Sequence, residues 1–138
     1  MSEACQAIKK FNVVFWHKKA YDRVKILRRS EKKMTTLKLN AGPCGFNTVI
    51  KAETEKPYKV KVTVESECPH YKAVNDDLAE PLDALGICCK EKYDSNTVYK
   101  IFAKHMKHPA CPVAVGVIKA MEAEAGLALK TDIEMKFE

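Results

Sequence analysis

The stretch Tyr58-Lys59-Val60-Lys61-Val62-Thr63-Val64-Glu65-Ser66-Glu67-Cys68-Pro69-His70 decides how the chain is read. Val60, Val62 and Val64 point one way and Lys59, Lys61 and Thr63 the other, which is the period of a half-buried strand. The strand runs straight into Cys68-Pro69. Proline suits the first position of a helix, where its missing N–H costs nothing, so the pair predicts a helix opening at Cys68 and continuing from Tyr71 to Leu78. Working back toward the N-terminus, Lys56-Pro57 marks a turn and Phe46 to Thr54 a second strand. Asn40-Ala41-Gly42-Pro43 marks another turn, with Cys44-Gly45 in the same loop. Thr35 to Leu39 is a third strand, with Leu37 and Leu39 on one face.

Working forward, Leu82 to Cys88 reads as a short helix that brings Gly86 and the pair Cys88-Cys89 to its end. Ser95 or Asn96 caps a helix carrying Val98, Ile101, Phe102 and His105 on one face. His108-Pro109-Ala110-Cys111-Pro112 repeats the Cys-Pro device ahead of a helix from Val113 to Ala125. Its stripe of Ala114, Val117, Ile118, Met121 and Ala125 faces a core, and Gly126 is a natural stop. A last strand, Asp132 to Phe137, is expected to bury Ile133, Met135 and Phe137. This order predicts an α+β domain over residues 34–138: an antiparallel sheet of three to four strands with helices packed on one face.

Residues 1–33 stand apart. They hold ten Lys or Arg against three acids, a balance of +7, while the remaining 105 residues are close to neutral. Val13, Trp16, Ala20, Val24 and Leu27 recur at helical steps, so the segment reads as a basic N-terminal extension able to form a helix. Two accounts stay open: an arm that contacts phosphate or an acidic membrane surface, and an extension that precedes an ordinary first residue at Met34. A lysine-rich stretch without a recognised motif argues against nucleic acid as the partner. Nothing in the chain approaches the ~20 apolar residues of a membrane span. The early apolar run Phe11 to Trp16 is broken by Asn12 and flanked by lysines, unlike a secretory signal. The expected location is the cytoplasm, where clustered cysteines more often mean metal or redox chemistry than structural bridges.

Six cysteines then need an account: Cys5, Cys44, Cys68, Cys88, Cys89 and Cys111. Cys44, Cys68 and Cys111 each sit where a loop or strand hands over to the next element, and such junctions converge at one end of many α+β folds. Thiols at helix starts gain thiolate character from the helix dipole. Three of them suit zinc, cuprous copper or an iron-sulfur cluster, with imidazole from His70 or His108 as a further donor. Adjacent Cys88 and Cys89 cannot readily bind one metal through both sulfurs, so one is expected in the core and the other as a fourth ligand or resolving thiol. A thiol-dependent sulfur-transfer or redox protein is the alternative, with Cys111 or Cys68 attacking. An interaction module using the basic arm is a third.

Gly42-Pro43-Cys44-Gly45, the strand ending in Glu67-Cys68, and His108-x-x-Cys111 leading into Val117-Ile118-Lys119-Ala120-Met121-Glu122 together resemble the U-type iron-sulfur scaffold proteins, the NifU/IscU family. The Cys-Pro helix starts also resemble TSCPD domains and small proteins of anaerobic microbes. The scaffold resemblance covers residues 34 to about 125. It implies that fold, Cys44, Cys68 and Cys111 as cluster or zinc ligands, and His108 as a fourth, with Gly45, Pro69, His70 and Pro112 in supporting places. It also implies a sulfur donor or cluster-accepting protein as partner, and a homodimer if a second subunit completes the cluster. The chain departs from that pattern at Phe46, where the family has an aspartate, and in the spacing of His108 from Cys111. It also lacks the Leu-Pro-Pro-Val-Lys chaperone-docking segment.

Overall fold

The computed structural model describes residues 34–138, so the expected basic helix and Cys5 lie outside the described residues. Three strands form the body of the sheet: β1 (Met34–Asn40), β2 (Asn47–Lys56) and β3 (Lys59–Ser66). They pair antiparallel in the order β1-β2-β3, with a two-residue β4 (Leu82–Asp83) added on the far side of β3. Four helices follow in the gaps: α1 (Tyr71–Asp77), α2 (Ala84–Cys89), α3 (Thr97–His105) and α4 (Val113–Ala125). The α+β class, the antiparallel sheet and its single helix-covered face are as expected from the sequence.

Alternation in the strands creates the two faces. Ile50, Ala52, Val60, Val62 and Val64 are buried beneath the helices, while Lys59, Lys61, Thr63 and Glu65 are exposed on the other face. Helix α4 lies directly on β1, β2 and β3 because position 116 has no side chain. A Cβ there would stand 2.7 Å from Leu39 Cδ2 and 2.8 Å from Ile50 Cδ1, closer than real contacts allow. At the other end of α4, the buried Glu124 side chain accepts hydrogen bonds from Thr35 Oγ1 (2.6 Å), Thr54 N–H (3.3 Å) and Thr54 Oγ1 (3.0 Å). Helix α1 is pinned to β3 by Asn75, whose side-chain amide donates to the Val64 carbonyl (2.7 Å) and accepts from the Val64 N–H (2.9 Å). Asn96 caps α3 by accepting from the N–H groups of Val98 and Tyr99. Gly126 ends α4 in the left-handed conformation at φ 73°.

Three expectations need correction. Leu82–Asp83 is a strand, paired with Val60 and Lys59, so the helix expected from Leu82 begins at Ala84. Neither Cys-Pro pair opens its helix directly. Pro112 occupies the N-cap with backbone already helical at φ −76°, leaving Cys111 one residue outside. His70 takes that place in α1, two residues after Cys68, whose carbonyl accepts from the Tyr71 N–H. Proline tolerates that position for the same reason as N1, since its preset φ is helical and it has no N–H to satisfy. Finally, Asp132 to Phe137 is not a strand: Ile133, Met135 and Phe137 are 64%, 87% and 108% exposed. Period-two alternation specifies which side chains share a face, but a strand also needs an edge to pair with.

Candidate thiol site

Strand register brings the three junction cysteines to one end of the sheet. Leu39, Thr48 and Ser66 lie side by side across β1, β2 and β3. Cys44 sits in the turn just beyond Leu39, and Cys68 two residues beyond Ser66. The start of α4, with Gly116 over Leu39 and Ile50, places Cys111 near that same end.

Each cysteine is held differently. The Cys44 turn depends on Gly42 and Gly45, both at positive φ (85° and 70°), a region that costs other residues about 1–2 kcal/mol. The Asn40 side chain accepts from Gly42 N–H, and the Gly42 carbonyl accepts from Gly45 N–H at 2.8 Å; Cys44 itself is exposed. Cys68 is half-buried, its N–H donating to Ser66 Oγ, which also receives the Thr48 hydroxyl. Cys111 is half-buried in a turn closed by its own N–H donating to the His108 carbonyl at 3.1 Å. His108 is exposed and Pro69 too, while His70 and Pro112 are half-buried.

The residue in contact with one of them is Tyr71, which the sequence marks only as the start of a helix. Its ring is 3% exposed and packs at a tilt against Phe102, with centroids 6.3 Å apart. Its hydroxyl lies 3.2 Å from Cys111 Sγ. Burial holds the phenol well above the ordinary tyrosine value. The hydrogen bond with Cys111 and the nearby thiols of Cys111, Cys68 and Cys44 push it further the same way. A thiolate beside it would repel a phenolate, so Tyr71 keeps its proton. The only hint of this in the sequence is the spacing that puts an aromatic residue three places after Cys68.

Cys88 lies elsewhere. Its Sγ faces the Ile118 carbonyl of α4 at 3.9 Å, and Ile118 is seven residues past Cys111, about 10 Å along a helix. Burial, then the charges of Glu122, Cys89 and Glu91, push the Cys88 thiol up to about 12, with Lys119 opposing. Cys89 is exposed. All five described cysteines are free thiols. Among the described residues no group of three or more His, Cys, Asp and Glu side chains is arranged to hold a metal ion. Also among them, no helix is long and apolar enough to cross a membrane.

Comparison with known proteins gives one family. The chain belongs to a family of unknown function, DUF6951, which matches residues 35–137. No curated protein and no solved structure matches it.

Proposed function

We propose that this member of DUF6951 is a soft-metal-binding domain that takes zinc or an iron-sulfur cluster on Cys44, Cys68 and Cys111, with His108 as a further donor. Its role would be that of a cytoplasmic carrier or scaffold between a sulfur donor and a cluster-accepting protein. The observation that carries this reading is the strand register that sets the junctions bearing Cys44 and Cys68 and the start of the Cys111 helix at one end of the sheet, with the Tyr71 hydroxyl 3.2 Å from Cys111 Sγ. The donor chemistry fits, since thiolates are the ligands zinc and iron-sulfur clusters select. The arrangement is open, because the three sulfurs do not close into a coordinating group as they stand. Cys44 is the thiol on an exposed turn, so the turn between Gly42 and Gly45 is the part that would have to move inward. Bound there, zinc would supply a cross-link between three chain segments, and a cluster would supply an inorganic core to hold or pass on. The chain's own contributions are the donors, the turn that carries Cys44, and a phenol whose O–H faces Cys111.

Anaerobic purification followed by metal analysis and visible absorption tests this. The expected result is near-stoichiometric zinc, or iron with charge-transfer absorption, lost in Cys44→Ser, Cys68→Ser and Cys111→Ser but retained in Cys89→Ser. Colourless protein with substoichiometric zinc and iron would overturn it. The same convergence, with the Tyr71 hydroxyl on Cys111 and no closed coordinating group, favours as a second reading a thiol-dependent sulfur-transfer or redox protein. Metal-free protein in which Cys111 forms a mixed disulfide that Cys68 or Cys44 resolves would select that reading.

A further inference from the structure

The last segment of the chain carries a pattern that the single chain leaves unused. Ile133, Met135 and Phe137 alternate with Asp132, Glu134, Lys136 and Glu138, and all three apolar side chains stand in solvent, with Leu129 at 88% exposure beside them. The family match runs through this segment to residue 137, so it is part of the domain rather than an appendage. At the edge of the sheet, β1 is seven residues long and has no neighbour on its outer side among the described residues. A row of unpaired backbone groups of that length is a template for another strand.

We infer that residues 132–137 form a strand on the outer edge of β1 in a second copy of this chain, so that two copies exchange tails into a homodimer. The patterns match on both faces. With Ile133, Met135 and Phe137 on the helix side, they continue the row of half-buried Leu37 and Leu39, which the helix layer leaves partly open. Asp132, Glu134 and Lys136 then fall on the open face with Thr36 and Lys38, a polar row of mixed charge in which Glu134 pairs with Lys136. Direction favours the exchange over a return onto the same chain. Gly116 sits over Leu39 and Glu124 over Thr35, so α4 runs antiparallel to β1 and releases the tail near Met34. A tail folding back onto its own β1 would pair in parallel, the weaker arrangement per residue, whereas a two-fold exchange lets it pair antiparallel. Both surfaces belong to one sequence, so a two-fold axis satisfies both at once and closes the assembly at two copies. The inference is independent of any ligand at the thiol site.

The full chain is tested by analytical ultracentrifugation and by amide hydrogen exchange at several protein concentrations. The expected result is a dimer in which amides of 132–137 and of β1 are protected at high concentration and released together on dilution. Met135→Asp should weaken the dimer by about a hundredfold or more, because a carboxylate is forced into an apolar row. Met135 is 87% exposed in the single chain, so the variant keeps the fold, which circular dichroism checks. A monomer, a dimer indifferent to Met135→Asp, or tail protection that does not change with concentration, as pairing within one chain would give, overturns the proposal.

Discussion

Cys88 offers the sharpest quantitative test of how thiols divide in this fold. Burial against α4 and the neighbouring acids raise it from 9.0 to about 12, so at pH 8 its thiolate is about a thousandfold scarcer than that of an ordinary thiol. A more basic thiolate is also the better nucleophile. With a Brønsted coefficient of about 0.45, three pH units return roughly twentyfold, leaving a net slowing of about fiftyfold. The assay is iodoacetamide labelling of the full chain with site-resolved mass spectrometry, comparing Cys88 in the native protein with the same residue in guanidinium. Glu122→Gln removes the largest charge contribution and should recover part of the rate. Native labelling of Cys88 within fivefold of the denatured rate would refute the reasoning.

Tyr71→Phe keeps the ring against Phe102 and deletes only the hydroxyl beside Cys111, so urea unfolding should report a loss of about 1 kcal/mol. Glu124→Ala leaves the Thr35 hydroxyl and the Thr54 donors without their acceptor and should cost about 3 kcal/mol, whereas Glu124→Gln, which keeps one acceptor oxygen, should cost clearly less. Asp77 accepts from His105 Nε2 (3.0 Å) and Lys104 Nζ (3.1 Å), which hold its carboxyl below the ordinary 3.8. A depressed carboxyl stabilises the fold above its unfolded value and loses that contribution as pH falls through the folded one. Asp77→Asn should therefore be the less stable protein at neutral pH, with the gap closing below about pH 4 in denaturation curves.

Much of this architecture is legible in residue order. The valines of β3, the apolar stripe of α4, the Asn96 cap and the Gly126 stop are local signals, and each element stands where its signal puts it. The placing of Cys44 and Cys68 at junctions beyond the strands is likewise a local signal, because strand-to-loop handovers in a hairpin sheet have few places to go, whereas a shared ligand set is not something residue order can supply. Tyr71 gave no such signal. Its importance depends on a sulfur forty residues further on, and no local pattern announces a contact of that separation. Leu82–Asp83 escaped because two residues are too short for any period to register, and its pairing with β3 is purely tertiary. The tail misled in an instructive way. Its alternation is a true strand pattern, but a pattern cannot say whether the edge it fits lies in the same molecule.

Gly116 has a consequence beyond packing. It lies five residues after Cys111, over the two side chains that flank the cysteine-bearing end of the sheet. A single methyl inserted there would act as a shim beneath the first turn of α4, tilting it away and carrying Cys111 off the Tyr71 hydroxyl. The better helix propensity of alanine, about 1 kcal/mol, would offset only part of an overpacking cost of about 1–3 kcal/mol, so melting experiments would register a modest loss. Position 116 thus works as a spacing gauge, able to detune sulfur geometry in a protein that still looks intact.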